Sequence, residues 1–147
     1  MLKIIYIVLV FYFSFQNLFA NEYFLTLRND KVNLRQGPTF EYPIKLFYKK
    51  KYLPVLVQDK SENFRKIRDH ENNTGWIHIS QLSKKKAAIT IEDDKLIFNK
   101  PSIYSKPFAI LKRGSLCKIH KCRNEWCKIS VEKYKGWVKK DILWGLL

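Results

Sequence analysis

After residue 20, apolar residues occur in short runs separated by polar turns. Leu53–Val57 and Phe64–Ile67 are rich in β-branched and aromatic residues, and the polar segment 59–63 lies between them. A third run, 76–79, comes after a turn that ends in Asn-Asn-Thr-Gly. Such runs are typical of β-strands, and no segment sustains a helical period beyond about one turn. The pattern predicts an all-β chain whose short strands close into small barrels, because closure removes exposed sheet edges.

The apolar pattern occurs twice. The segments 32–82 and 96–143 have one plan, with matching elements in the same order. The matched pairs are Pro43-Ile44 with Pro107-Phe108, Leu53–Val57 with Leu116–His120, Phe64–Ile67 with Trp126–Ile129, Gly75–Ile77 with Gly136–Val138, and Leu82 with Leu143. An internal repeat of about 50 residues indicates tandem copies of one module. We predict a first module at 22–86 and a second at 87–147.

The first twenty residues have the pattern of a secretory signal peptide. Lys3 is followed by the apolar run Ile4–Phe13 and by a more polar end that finishes at Ala20. Cleavage there predicts an exported, periplasmic protein that begins at Asn21. The alternative is an uncleaved anchor in the inner membrane. Gln16 and Asn17 interrupt the apolar run well short of the roughly 20 residues that a spanning helix needs, which favours cleavage.

The chain is strongly basic. Its formal charge is +15, and Lys3 is the only charged residue in the first twenty, so the remainder carries +14. A basic exported protein is attracted to anionic surfaces such as phospholipid headgroups, peptidoglycan carboxylates or acidic proteins, and nucleic acid is a poor partner outside the cytoplasm. Lysine runs at 49–51, 84–86 and 139–140 would together form such a surface. The alternative is a compositional bias towards Lys, Ile and Asn of the kind a low-GC genome produces.

Several motifs resemble a known family. Asn-Leu-Arg-x-Gly-Pro at 33–38 and Gly-Trp-Ile at 75–77 are similar to motifs of the bacterial SH3-like (SH3b) domain. The longer segments Val32–Ile44 and Gly75–His78 resemble the first module of tandem SH3-like proteins of alphaproteobacteria. Cys122–Cys127 and Leu143–Gly145 resemble the second module of tandem SH3-like envelope proteins of alphaproteobacteria. The resemblance implies two five-stranded SH3-like barrels in the cell envelope. Related domains tether cell-wall enzymes to peptidoglycan or bind peptides.

The second copy departs from the family pattern. Phe98 and Lys100 stand where the motif has Arg and Gly. We therefore expect any ligand to bind the first module, with the second module as its support.

All three cysteines lie in the second module. Cys122 and Cys127 flank the turn 123–125 and are predicted to form a disulfide between neighbouring strands. Simple pairing of these two residues would place Ile119 and Ile129 on opposite faces, although both have the character of core residues. A β-bulge near the turn would resolve this conflict. Cys117 shares a face with Ile119 and is expected to be a buried apolar residue.

The cysteines allow two other interpretations. A metal site would use Cys117, His120, Cys122 and Cys127, but along one strand Cys117 points away from His120 and Cys122, so the ligands do not converge. We predict no metal and no cofactor. The other interpretation is a redox role for the cysteine hairpin.

Catalytic machinery is not visible in the sequence. The only histidines are His70, His78 and His120, and none has the spacing of a nucleophile–base pair. Two barrels also leave no room for a catalytic domain. We predict a non-catalytic binding protein for peptidoglycan or for an envelope protein or peptide. The alternative is a structural periplasmic protein without a dedicated ligand, loosely associated with membranes through its basic surface.

The candidate ligand-binding residues form an aromatic and cationic set in the first module. They are Arg35, Tyr42, Phe64 and Trp76. Aromatic rings beside polar groups suit peptides and sugars. Arg35 would bind a ligand carboxylate or pair with Glu41 or Asp69, and Trp76 and Trp137 would otherwise close their barrels. Three glycines are expected in turns: Gly37, Gly75 and Gly136.

Overall fold

The computed structural model describes residues 21–146. The predicted signal peptide at 1–20 lies outside the described residues. Within them the chain forms two antiparallel sheets with seven strands each, which confirms an all-β protein of two modules. Among the described residues no helix has the length and apolar character needed to span a membrane.

The first sheet contains every strand from residue 23 to residue 83. Its strands are β1 (Tyr23–Leu27), β2 (Val32–Arg35), β3 (Ile44–Tyr48), β4 (Pro54–Ser61), β5 (Phe64–Arg68), β6 (Thr74–His78) and β7 (Leu82–Ser83). They are arranged in the order β3-β2-β6-β5-β4-β1-β7. A single-turn 3-10 helix, Ile79–Gln81, connects β6 to β7.

The second sheet repeats this arrangement strand for strand. Its strands are β8 (Ala87–Thr90), β9 (Lys95–Phe98), β10 (Pro107–Leu111), β11 (Leu116–Arg123), β12 (Trp126–Val131), β13 (Tyr134–Lys139) and β14 (Leu143–Trp144). The order β10-β9-β13-β12-β11-β8-β14 is equivalent to that of the first sheet. The resemblance implied five strands per module. Each sheet has seven, because β1 and β7, or β8 and β14, extend it beyond β4 or β11.

Each module has a β-bulge at the same place. In the second module the register shifts between Ile119 and Lys121, so that Ile119 pairs directly with Ile129 while Cys122 pairs with Cys127. This is the bulge that the cysteine spacing required. The first module has the equivalent shift between Val57 and Asp59. An extra residue on one strand moves the side chains that follow it to the opposite face of the sheet. The core pair Ile119–Ile129 and the cysteine pair near the turn can therefore both lie directly opposite each other.

Two glycines expected in turns lie inside strands instead. A Cβ on Gly75 would lie 2.7 Å from the carbonyl oxygen of Arg35, and one on Gly136 would lie 2.8 Å from that of Phe98. These positions on β6 and β13 are therefore glycine because the backbone of the neighbouring strand passes too close for a side chain. The prediction that Gly75 and Gly136 lie in turns was wrong. Both positions still require glycine, because the neighbouring backbone leaves no space for a Cβ.

The two modules share part of one hydrophobic core. Ile89 of β8 is 2% exposed and packs with the buried residues of the first module, and Trp144 of β14 packs against the same cluster. The ring of Trp144 meets that of Phe24 edge-on at 4.8 Å. Thr26 Oγ1 also donates a hydrogen bond of 2.9 Å to the carbonyl of Lys85 in the connecting segment. The second module thus completes the core of the first.

Removal of the Trp144 side chain should destabilise both modules. We expect Trp144→Ala to lower the free energy of unfolding by roughly 2–4 kcal/mol, because it leaves a cavity between Phe24 and the first-module core. Urea unfolding followed by circular dichroism measures this. Tyr104→Ala is the control, since Tyr104 is 93% exposed and its loss should leave stability unchanged. Equal stability of the two variants would contradict a shared core.

Candidate binding site

The candidate residues of the first module lie on the outer side of its sheet. Cross-strand pairing places Arg35 beside Trp76, and Trp76 beside Lys66 on the next strand. In the neighbouring row, Phe64 pairs with His78. Since residues directly opposite each other share a face, these side chains form one surface. We call the surface of Arg35, Phe40, Phe64, Trp76 and His78 the first-module face.

Three aromatic rings form the centre of this face. Phe40 lies 5.2 Å from Phe64 and 5.1 Å from His78, and Phe64 lies 5.1 Å from His78. The three rings cover one another so that Phe64 is 6% exposed, whereas Phe40 remains 61% exposed. Phe64 therefore supports Phe40 rather than facing a ligand. Phe40 was missed by the sequence analysis, although an aromatic residue two positions after the Gly-Pro pair was an available signal.

Arg35 holds the loop that carries Phe40. Its Nη1 atom donates hydrogen bonds to the carbonyl oxygens of Phe40 (3.0 Å) and Tyr42 (2.9 Å). Its guanidinium carbon also lies 5.4 Å from the centre of the Phe40 ring. The pairing of Arg35 with Glu41 or Asp69 that the sequence suggested is not formed.

Asp69 has different partners. Its carboxylate accepts hydrogen bonds from Tyr48 Oη (3.0 Å) and from the backbone N–H groups of Glu71 (2.9 Å) and Asn73 (2.8 Å). This buried carboxylate orders the turn before β6. Burial, together with the smaller effect of the Asp69 charge, raises the pKa of Tyr48 above its ordinary value.

Tyr42 packs on the glycine of the motif. Gly37 lies in the bend between β2 and β3, as predicted, and a Cβ there would lie 2.5 Å from the Tyr42 ring, so this contact also requires the glycine. Tyr42 is 46% exposed. Trp76 is half-buried between Arg35 and Lys66. Arg35, Phe64 and Trp76 thus share one face, and Tyr42 lies at its edge beside the loop.

Phe40 is the most exposed ring of this face. A cavity of about 550 Å³ is lined by Tyr23, Gln58 and Arg65, away from Phe40 and Trp76. The exposed ring of Phe40, with a guanidinium at its side, can stack against a flat sugar or a peptide and bind a carboxylate.

The cysteines of the second module form one disulfide and one buried thiol. Cys122 and Cys127 form a disulfide with their Cα atoms 4.0 Å apart. Cys117 is fully buried, and this burial raises the pKa of its thiol to about 12 from the usual 9. Within residues 21–146 no three His, Cys, Asp or Glu side chains converge in a way that would hold a metal ion.

Comparison with known proteins agrees with the fold. Residues 28–84 and 93–145 each match the bacterial SH3 domain family. The chain belongs to this family. A search of curated proteins found no match to this bacterial SH3 protein.

Solved structures with a similar arrangement are distant. NlpC2 from Trichomonas vaginalis has 15% identity and a TM-score of 0.38, and the alignment covers 89% of this chain and 49% of that one. NlpC1 from the same organism has 14% identity and a TM-score of 0.38, with 88% and 48% covered. This bacterial SH3 chain spans about half the length of either protein. Neither likeness bears on its function.

The hydrogen bonds of Arg35 should control the order of the loop at 36–43. We expect Arg35→Ala to accelerate hydrogen exchange at the Gln36 amide, which bonds to the Pro43 carbonyl, by roughly fivefold, the equivalent of about one lost hydrogen bond. Arg65→Ala is the matched control, because Arg65 Nη1 also donates to two carbonyls, but within the next hairpin. Unchanged exchange in the Arg35 variant would show that the loop is ordered by other contacts.

The Cys117 thiol should be unreactive in the folded protein. A rise in its pKa from 9 to about 12 lowers the thiolate fraction about a thousandfold at neutral pH, and burial excludes the reagent as well. Labelling with a thiol reagent should therefore be slow in buffer and stoichiometric in denaturant. Rapid labelling of the native protein would mean that β11 opens readily, and Cys117→Ser would identify any label at other sites.

Proposed function

We propose that this bacterial SH3 protein is an exported, non-catalytic binding protein of the cell envelope, and that the first-module face recognises peptidoglycan or an envelope protein or peptide. The observation that carries the proposal is Phe40, an aromatic side chain that is 61% exposed yet held in place. Arg35 fixes its backbone, and Phe64 and His78 fix its ring. A large apolar side chain that is both exposed and immobilised loses little entropy on binding, which is characteristic of interface anchors.

The chemistry of the face suits peptidoglycan. Sugar rings stack on aromatic side chains, and the peptides of peptidoglycan carry carboxylates that an arginine binds in a fork geometry. The hydrogen bonds of Arg35 to the loop use its Nη1 atom. Its Nε and Nη2 atoms make no hydrogen bond within the part of the chain that the structure describes, and so remain for a ligand.

The state of the nucleophilic groups supports a non-catalytic role. Two of the three thiols form the disulfide, and the third is buried with a raised pKa, so no thiolate is poised for attack. His78 accepts a hydrogen bond from the backbone N–H of Ser80 (3.2 Å), where it caps the 3-10 helix, and His120 contacts Ser130 on the opposite strand. These contacts are local and structural.

The disulfide also supports export. A disulfide that closes an exposed hairpin is stable in oxidising compartments and rare in reducing ones. Together with the apolar segment at 4–13, the Cys122–Cys127 bond favours an envelope location.

Co-sedimentation with purified peptidoglycan sacculi tests the proposal. With a chain of residues 21–147 at moderate salt, Phe40→Ala should weaken binding about tenfold or more, the loss expected for an interface anchor. Ile103→Ala is the matched control, because Ile103 occupies the equivalent position of the second module and is 60% exposed. Binding that is lost equally in both variants, or in neither, would contradict a role for the first-module face. Failure of the unaltered chain to sediment, with one envelope protein crosslinked through Phe40, would assign the face to a protein ligand.

A further inference from the structure

The second module carries a different surface at the position of the first-module face. Lys121, Arg123 and Lys128 lie over the ring of Trp137, with their charged groups 5.6, 5.7 and 6.0 Å from its centre. The side chain of Trp137 is only 6% exposed beneath them, whereas Lys121 and Arg123 are themselves exposed. We call these four residues the second-module basic face.

The cations of this face are not neutralised by acidic side chains. Within residues 21–146, Lys121, Arg123 and Lys128 form no ion pair. The neighbouring Glu125 accepts a bond of 3.1 Å from Lys139 and is thereby occupied. The pKa of His120, which lies in the bulge, is lowered by loss of hydration and then by Lys135, Lys118 and Lys128. The electrostatic potential at this part of the sheet is therefore positive, and several lysines contribute to it.

The outer faces of the two equivalent hairpins carry different charges. Asp59 and Lys66 are paired across β4 and β5, and Lys121 and Lys128 are paired at the equivalent positions of β11 and β12. Ser61 is likewise equivalent to Arg123. Each hairpin has three cations, but on the outer face the first has Asp59 with Lys66 whereas the second has Lys121, Arg123 and Lys128. The two hairpins therefore differ in which face their cations occupy and in the absence of an opposing carboxylate there.

Two exposed side chains lie in the loop that follows β9, the strand paired with β13. Tyr104 is 93% exposed and Ile103 is 60% exposed, both in the loop between β9 and β10. Ile103 shares a shallow cavity with Phe98 and Lys139, and Phe98 pairs with Trp137 across the sheet. Three carboxylates line the same cavity, of which those of Glu92 and Asp94 are paired with Lys95 and Lys112; the third is that of Asp141. The loop therefore adjoins the basic face. Neither residue has the stacked support that Phe40 has. A soluble polyanion would offer these two side chains no apolar layer in which to be buried.

We propose that the second-module basic face docks on an anionic lipid surface, with Lys121, Arg123 and Lys128 at the phosphate headgroups and Ile103 and Tyr104 in the interfacial layer. A bilayer is the partner that offers both chemistries side by side. Tyrosine is enriched at membrane interfaces, basic side chains are attracted to anionic headgroups, and the two contributions add. Docking through the second module leaves the first-module face directed to a separate ligand.

Vesicle co-sedimentation tests the cationic part. A chain of residues 21–147, which contains every strand of both sheets and lacks the apolar segment at 1–20, is mixed with phosphatidylcholine vesicles with or without phosphatidylglycerol. Loss of three cations near an anionic surface should weaken binding about a hundredfold in Lys121→Gln/Arg123→Gln/Lys128→Gln, and only with the anionic lipid. The control Lys60→Gln/Arg65→Gln/Lys66→Gln removes the same charge from the equivalent hairpin of the first module. Equal losses in both would overturn the proposal, as would full binding by the second-module variant.

A second pair of variants tests the apolar part. Ile103→Ser/Tyr104→Ser should weaken vesicle binding several-fold and leave its steepness in salt unchanged, whereas Ile44→Ser, at a residue of the first module that is 46% exposed, should have no effect. If the loop variant binds vesicles normally and inorganic polyphosphate displaces the protein completely, the partner is a soluble phosphate polymer and the lipid proposal is wrong.

The two proposals fail separately. Phe40→Ala should retain vesicle binding, because Phe40 lies on the first module and the basic face lies on the second. Purified sacculi contain no lipid, so sacculus binding does not report on membrane docking. Retention of sacculus binding by the Lys121 triple variant is the reciprocal expectation.

Discussion

The packing of the second module into the core of the first is the contact on which the rest of the arrangement depends. Trp144 and Ile89 come from strands at one end of the second sheet, yet they pack with the buried residues of the first module. The connecting segment is bound by Thr26, so the chain has little freedom between the sheets. Small modules bury too little apolar surface to be stable alone, and a shared core offsets this deficit. The two outer faces are consequently presented by one body.

One backbone plan supports two different surfaces because the core and the outer face use alternate residues of each strand. Inward positions such as Ile67 and Ile129 are apolar in both modules. Outward positions differ between the modules. Phe98 stands at the position of Arg35, so the hydrogen bonds that Arg35 makes to its loop have no counterpart at Phe98. Lys121 stands at the position of Asp59 and adds positive charge. The inward set maintains the shared fold, and the outward set determines the chemistry of each face.

The cysteine hairpin shows how local and long-range constraints combine. Spacing alone predicted the Cys122–Cys127 bond and the need for a bulge, and both are present. The bulge also occurs in the first module, which has no disulfide. The bulge therefore belongs to the fold, and its register does not depend on the disulfide.

The sequence by itself determined the strands, the repeat, the cysteine pairing and a face formed by Arg35, Phe64 and Trp76. These depend on alternation along a strand and on turn residues, which are local properties. Only the tertiary structure decided that Arg35 binds the carbonyls of its own loop, that Phe40 is the exposed ring, that Gly75 and Gly136 permit close strand crossing, and that Trp144 belongs to the core of the other module. Each of these depends on which distant residues the register brings together, and a pattern along one strand carries no information about its neighbour.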